Sequence, residues 1–150
     1  MGIGLKWFLN KNKIWFHGII WVLGILVVNV MVSTAGPDYK LPACPSSPNC
    51  VSSQSADDHF IKPFPITGEA KISFDRLKAI LGRRNDTSIV SADDRLIRVE
   101  FRTALGFVDD GFFVLDAEGK VIHIFSASRM GYWDFDKNRR RMEEIRQEYQ

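Results

Sequence analysis

The sequence predicts an α+β fold in which a small four-stranded antiparallel sheet packs with two helices, preceded by an N-terminal transmembrane helix. Three observations support this prediction. A long uncharged apolar run lies near the start of the chain, four short segments of β character follow one another between residues 88 and 128, and a segment with helical periodicity lies on each side of them. At 150 residues, the chain has room for one compact domain and a short appendage.

The apolar run covers residues 14–32, which carry no formal charge. A helix of this length, at about 1.5 Å per residue, crosses the roughly 30 Å hydrocarbon layer of a bilayer. Lys6, Lys11 and Lys13 precede the run, and the residues just after it contain no Lys or Arg, so the positive-inside rule leaves residues 1–13 in the cytoplasm. We therefore predict a single-pass protein of the inner (plasma) membrane with its domain on the extracytoplasmic side.

A cleaved signal peptide is the alternative to this anchor. Ser33, Thr34 and Ala35 place small residues at the positions that signal peptidase inspects. The apolar run is longer than a usual signal h-region, which favours an uncleaved anchor.

The charge balance gives no support to a nucleic-acid partner. The chain has 20 basic and 18 acidic residues, and three of the basic ones are the cytoplasmic lysines, which leaves 17 basic against 18 acidic in the outward part. Nucleic-acid binding depends on an excess of positive charge. We therefore expect no nucleic-acid partner.

Cys44 and Cys50 are the only cysteines, and they flank a proline-rich loop. An even count in the oxidising space beyond a membrane favours a disulfide between them. Zinc binding would need His59 and His123, but the histidines are not at ligand spacing and the cysteines are further apart than in a zinc knuckle. The prolines also oppose the helix start on which catalytic dithiols lie. We predict a disulfide, no metal site and no cofactor.

Residues 33–68 are rich in Ser, Pro, Asp and Gly, which predicts a tether with little regular structure that the cysteine loop pins to the domain. The α+β domain is predicted to cover residues 69–150. Its first helix is expected over about residues 73–83, where four apolar side chains share one face: Phe74, Leu77, Ile80 and Leu81.

Four strands follow, separated by turn signals such as Asp93-Asp94 and Glu118-Gly119, and they predict an antiparallel meander. The last helix has Asp134 as its expected N-cap and apolar residues at helical spacing up to Tyr149. The predicted strands cover residues 88–92, 95–103, 106–116 and 120–128.

The turns also predict which side chains face the helices, because alternate residues of a strand point to opposite faces of a sheet. A shift of one residue in pairing would exchange the two faces of a strand. The core face is expected to carry Ile97, Val99, Phe101, Phe113, Leu115, Val121, His123, Phe125 and Ala127.

The chain resembles the DUF1499 family of uncharacterised envelope proteins in four stretches: CPSSPNCVSS at 44–53, GFVDDGFF at 106–113, SASRMGYWDFD at 126–136 and NRRR at 138–141. The resemblance implies a small domain of bacteria and plastids, often behind a membrane anchor or lipoprotein signal, without an established reaction. The matching positions are Cys44, Pro48, Asn49, Cys50, Ser52, Ser53, Asp109, Asp110, Ser126, Ser128, Arg129, Gly131, Asp134, Asn138 and Arg139.

The chain departs from the family pattern at two positions. Phe125 stands where the family tends to have a basic or polar residue, and Asp136 stands where it tends to have Gly. The first departure removes a group that an anion site at this position would use.

The candidate site lies where the last strand turns into the C-terminal helix, whose first-turn amides favour an anion. Arg129 is expected there, either binding a ligand or pairing with Asp109, Asp110 or Asp134 as a structural lock. We favour the lock, because structural ion-pair networks are common, and it predicts that Arg129→Ala destabilises the domain. The candidate ligand-binding residues are Asp109, Asp110, Ser126, Ser128, Arg129, Trp133, Asn138 and Arg139.

No catalytic residue is predicted. Ser126, His123 and Asp110 are the only local serine, histidine and carboxylate, but His123 and Ser126 lie an odd number of residues apart in one strand and so point to opposite faces. His123 is expected to be a hydrogen-bonded core histidine and His59 a solvated loop residue. Trp133, with its neighbour Tyr132, marks a contact surface if exposed and a plug of the sheet if buried.

The sequence therefore predicts a membrane-anchored extracytoplasmic domain that is a non-enzymatic binding or structural module of the cell envelope. Its expected partners are the membrane, through residues 14–32, and an envelope protein or small anionic ligand. The alternative is an enzyme acting on a small anionic envelope metabolite, with Asp109 or Asp110 as general base and Arg129 as electrostatic clamp. The two differ in whether these side chains line an open cleft or pair with one another.

Overall fold

A computed structural model describes residues 39–150, which form an α+β domain. The predicted anchor at residues 14–32 lies outside the described part. Within residues 39–150, no helix has the length and apolar character needed to cross a membrane. The elements, in chain order, are strands β1 (Cys50–Ser52) and β2 (Phe64–Pro65), helix α1 (Ala70–Arg83), strands β3 (Thr87–Ala92), β4 (Leu96–Arg102), β5 (Val108–Asp116) and β6 (Val121–Ser128), and helix α2 (Lys137–Tyr149).

The sheet contains the predicted meander, but its strand count of four is wrong. Six strands form one sheet in the order β1-β6-β5-β4-β3, and β2 also pairs with β6. β1 and β2 come from the segment predicted as a tether. They are three and two residues long, which is too short for an alternating hydrophobic pattern to reveal them. Pairing with β6 and the burial of Val51, Ile61 and Phe64 hold them in place.

Both helices pack on one face of the sheet and form the main core. The apolar stripe of α1 is buried as expected, although the helix begins at Ala70, before the predicted start. In α2, Met142, Ile145 and Tyr149 are buried against the same face. Each fully buried side chain of this kind stabilises the fold by about 1.5–3 kcal/mol relative to an exposed one. The core therefore fixes both helices to the sheet.

The face of strand β6 that packs against the helices is the opposite of the predicted one. Phe113 pairs with Ile124 and Leu115 with Ile122, so the two isoleucines lie in the main core. Asp116 pairs with Val121, which leaves four residues in the turn. A turn with an even number of residues pairs odd-numbered with even-numbered positions, whereas the prediction required an odd number. The residues wrongly placed on the core face are Val121, His123, Phe125 and Ala127.

The opposite face of the sheet has a smaller core of its own. Leu41 and Cys50 pack there with Val114 and Phe125 of the sheet. The predicted disulfide is confirmed: Cys44 and Cys50 are bonded, with their Cα atoms 5.7 Å apart. The bond ties the start of the described chain to β1, so this part of the predicted tether covers the sheet.

A substitution at Gly111 in β5 can test how tightly the main core is packed. A Cβ atom at this position would collide with the Phe101 ring and the Val99 side chain. We expect Gly111→Ala to lower the free energy of unfolding by about 1–3 kcal/mol, because the core has no room for another methyl group. Denaturant titration of the full chain measures the change.

Gly82 in α1 provides the matched control. The nearest atom to a Cβ there is 3.8 Å away, so Gly82→Ala fits. Its higher helix propensity is expected to raise the free energy of unfolding by up to about 1 kcal/mol. A Gly111→Ala protein as stable as Gly82→Ala would contradict the packing described for β4 and β5.

Candidate functional site

An open cleft lies between two loops at one end of the sheet. The first loop, residues 103–107, joins β4 to β5, and the second, residues 129–136, joins β6 to α2. β4 and β6 both finish at the end of the sheet where β5 begins, which brings the two loops together. The cleft has a volume of about 540 Å³, and we call it the apolar cleft after its main lining residues: Leu105, Phe107, Met130, Trp133 and Phe135.

These apolar side chains are exposed to solvent. Leu105 is 84% exposed, Met130 72%, Trp133 62% and Phe135 76%. The rings of Trp133 and Phe135 stack, with centroids 6.3 Å apart. Contiguous exposed apolar surface of this kind is typical of interaction sites. Of the two predicted roles of Trp133, contact surface and plug, the exposure supports the contact surface.

The second loop is held in place by Asn138, a fully buried residue of α2. Its Nδ2 lies 2.8 Å from Oδ2 of Asp134, 3.0 Å from Oγ of Ser128 and 3.1 Å from the carbonyl oxygen of Asn49. The side chain of Asn49 in turn donates to the carbonyl oxygen of Gly131. One amide therefore joins the disulfide loop, the end of β6 and the loop that carries Trp133.

The oxygen of the same amide continues the network into the core. Oδ1 of Asn138 accepts hydrogen bonds from Oγ of Ser126 and from Nη1 of Arg141. Nη2 of Arg141 donates to Oδ2 of Asp109 at 2.8 Å, and both side chains are 3% exposed. Asp86 lies 3.8 Å from Nε of the same guanidinium. Arg141 is therefore the buried arginine of this corner.

Asp86 belongs to the rim of this network and titrates below its usual range. Burial alone would raise its pKa, but hydrogen bonds from Arg84 and Thr87 and the charges of Arg84 and Arg141 lower the pKa further than burial raises it. Its carboxylate is therefore held ionised beside the buried guanidinium.

Arg129 lies on the other face of the sheet, outside this network. Its guanidinium donates to both carboxylate oxygens of Asp110, at 3.0 and 2.7 Å, and to Glu100 at 2.7 Å. The hydrogen bonds to Asp110 and then Glu100 raise the pKa of Arg129. Its side chain is 45% exposed. Arg129 is thus paired as predicted, but near solvent rather than as a buried lock.

The structure separates the eight candidate site residues into three groups. Asp109 and Asp110 are neighbours in one strand, so their side chains point to opposite faces, and the expected meeting of both with Arg129 does not occur. Arg139 instead donates to the carbonyl oxygens of Asp58 and Phe60, each at 2.8 Å. The residues brought together at the apolar cleft and its supporting network are Asp109, Ser126, Ser128, Trp133 and Asn138.

Arg139 lines a second, polar cavity of about 340 Å³ beside the disulfide loop. Three carboxylates share its lining, those of Asp58, Asp134 and Asp136, so the cavity is poorly suited to the anion considered from the sequence. In residues 39–150, no group of three or more His, Cys, Asp and Glu side chains is arranged to hold a metal ion.

Sequence reasoning missed a second serine and histidine pair. Oγ of Ser53 lies 3.1 Å from Nδ1 of His123 and also accepts the backbone N–H of Ile124. Asp116 is 3.7 Å from Nε2 of His123, beyond hydrogen-bond distance. The pair ties the residue after β1 to β6, and its spacing to the carboxylate does not match that of a hydrolytic triad.

Comparison with protein families identifies the group to which this domain belongs. The family model of DUF1499, described as a protein of unknown function, matches residues 40–149. The chain belongs to the DUF1499 family. Comparisons with curated proteins and with solved structures returned no match.

One departure from the DUF1499 pattern has a physical explanation. Phe135 and Asp136 adopt φ values of 55° and 59°, in the left-handed region that glycine enters at least cost. The sequence resemblance implies Gly at position 136, a residue that this backbone geometry suits. The N-cap residue of α2 is Asp136, two residues after the expected Asp134. The carboxylate of Asp134 nevertheless accepts hydrogen bonds from the backbone N–H groups of Asp136 and Asn138 at the start of the helix.

The two arginines are expected to differ in their contribution to stability. Arg141→Ala leaves Asp109 buried without its partner and should lower the free energy of unfolding by about 3–5 kcal/mol. Arg129→Ala should change stability little, because Asp110 and Glu100 retain access to water. Thermal and denaturant unfolding of the two variants measure the difference.

Arg141→Lys completes the comparison. Lysine keeps the charge but loses the planar fork that reaches both Asp109 and Asn138, so it should restore only part of the stability. An Arg129→Ala protein less stable than Arg141→Ala would contradict the assignment of Arg141 as the structural arginine.

Proposed function

We propose that this DUF1499 protein is a membrane-anchored, extracytoplasmic binding module of the cell envelope that takes up an apolar ligand in the apolar cleft. The observation that carries the proposal is a set of exposed apolar side chains on a loop held by a buried hydrogen-bond network. The anchor is assigned to residues 14–32, from their uncharged apolar composition behind three lysines.

The exposed side chains of the cleft contribute little to folding. The main core is complete without them, since the two helices and the sheet bury their own apolar residues. Covering a large apolar side chain gains about 1.5–3 kcal/mol, and at Leu105, Phe107 and Trp133, which are half or more exposed, at least about half of that gain is left for a ligand. Aromatic residues are also enriched among those that dominate binding energy.

The network reduces the entropy that binding would cost. Asn138 and Asn49 fix the loop of residues 129–136 at Asp134 and Gly131, before any ligand is present. A surface that is already ordered loses less conformational freedom when it is covered. The buried network thus supports the interpretation that this loop is a binding surface and not only a connection between β6 and α2.

The pairing of the charged residues favours binding over catalysis. Asp110 and Arg129, the proposed base and clamp of the enzymatic alternative, are bonded to each other. One oxygen of Asp109 is bonded to Arg141. A general base and an electrostatic clamp need to be free to meet the substrate. The pair of Asp110 and Arg129 is therefore better explained as structural. Within residues 39–150, Asp109 keeps one oxygen at the cleft but has no free arginine beside it to act as a clamp.

The anchor predicts the behaviour of the full chain in membranes. The protein should stay in the membrane pellet after carbonate extraction, because a helix of residues 14–32 is held by its apolar surface. Protease added from the extracytoplasmic side should remove epitopes of the domain. A soluble product that begins at Gly36 would show signal cleavage and contradict the anchor.

The cleft predicts a loss of ligand uptake after a change in its lining. Replacing Trp7, Trp15 and Trp21 by Phe leaves Trp133 as the single indole of the full chain. In micelles, 2-naphthylmethanol should shift the indole N–H resonance of Trp133 saturably in NMR titration. We expect Phe107→Ser to weaken this binding about tenfold, since it removes part of the apolar lining.

Ile72→Ser is the matched control for that experiment. Ile72 is 64% exposed, close to the exposure of Trp133, but it lies on α1, away from the cleft. Its replacement should leave the affinity for 2-naphthylmethanol unchanged. Absence of a saturable shift in the parent protein, or equal effects of the two serine substitutions, would contradict uptake in the apolar cleft.

A further inference from the structure

Asp109 and Ser128 are two of the five polar residues that line the cleft; the others are Thr103, Asp134 and Lys137. Asp109 and Ser128 are direct partners across β5 and β6. Asp109 is 2% exposed, and its Oδ2 accepts from Arg141. Within residues 39–150, its Oδ1 has no hydrogen-bond donor. Oγ of Ser128 accepts a hydrogen bond from Nδ2 of Asn138. The hydroxyl proton of Ser128 has no acceptor within residues 39–150.

This incomplete bonding contrasts with the network next to it. The amide of Asn138 uses both its nitrogen and its oxygen, and Arg141 bonds Asn138 and Asp109 together. Oδ1 of Asp109 is accessible from the open cleft, since Oη of Tyr149 is the only buried side-chain polar atom without a partner in residues 39–150. An apolar ligand that covers Oδ1 without donating to it would deprive this oxygen of water, which is costly. The free acceptor and the free donor lie side by side and both reach the cleft.

We infer that the ligand of the apolar cleft is an apolar molecule that carries a hydroxyl or amide group, which bonds Asp109 and Ser128. The inference rests on the proposed function and specifies its ligand class. A hydroxyl or amide both donates and accepts, so it satisfies Oδ1 of Asp109 and the hydroxyl proton of Ser128 together. The apolar body of the molecule then covers Phe107, Met130 and Trp133.

The charges around the cleft select a neutral group. An anionic group would meet the carboxylates of Asp109 and Asp134, which also lines the cleft. A cationic group would meet Lys137 on the same wall and would lose its hydration against a carboxylate already paired with Arg141. A neutral hydroxyl or amide avoids both costs.

The test compares two probes that differ only in the donor. 2-Naphthylmethanol has a hydroxyl, and 2-(methoxymethyl)naphthalene has the same ring with a methyl ether in its place. Binding is followed through the Trp133 resonance of the full chain in micelles. We expect the alcohol to bind at least tenfold more tightly than the ether, because the ether leaves Oδ1 of Asp109 without a donor.

A variant then assigns the preference to the two side chains. Ser128→Ala removes a donor from which both probes can accept, so it should weaken both severalfold and leave the ratio of alcohol to ether affinity nearly unchanged. Asp109→Asn removes the carboxylate that accepts from the alcohol and should reduce this ratio, but it also weakens the partner of Arg141. The comparison of the two probes on the unchanged protein needs neither variant to fold.

The outcomes separate this inference from the proposed function. Tighter binding of the alcohol than of the ether, with both weakened in Ser128→Ala, supports the inference. Equal binding of alcohol and ether, or tighter binding of 2-naphthoate than of the alcohol, overturns it and leaves uptake of apolar ligands intact. Failure of both neutral probes to shift the Trp133 resonance overturns the inference and the proposed function together.

Discussion

The side-chain amide of Asn138 is the contact on which the cleft depends, because it is bonded at once to the disulfide loop, the last strand and the loop before α2. Hydrogen bonds within such a buried network strengthen one another, and each group left without a partner is expensive. The network pairs buried polar side chains with one another while it holds a loop whose apolar residues are exposed. Asn138 therefore links the stability of the domain to the shape of its exposed loops.

The sheet is covered on both faces, which limits where a ligand can bind. The helices fill one face, and residues around Leu41 with the disulfide fill the other. Most of the large apolar side chains that remain exposed lie in the two loops at one end of the sheet, where Leu105 and Trp133 project. The fold thus leaves its loops, rather than the faces of its strands, as the place for recognition.

Much of the fold could be predicted from the sequence because its signals are local. The stripe of α1 and the β character of the meander recur over many residues, while β1 and β2 depend on partners far along the chain. For the site, strand alternation already separates Asp109 from Asp110. Which arginine is buried could not be predicted, because Arg141 reaches Asp109 only once α2 has packed across the sheet.

The bond between Asn49 and Gly131 joins residues 82 positions apart, close to the two ends of the domain. Closing a contact of such long sequence separation costs loop entropy and slows folding. Until α2 is part of the folding chain, Asn138 cannot hold the loop of residues 129–136. The cleft is therefore a property of the complete domain, and a partly synthesised chain does not have it.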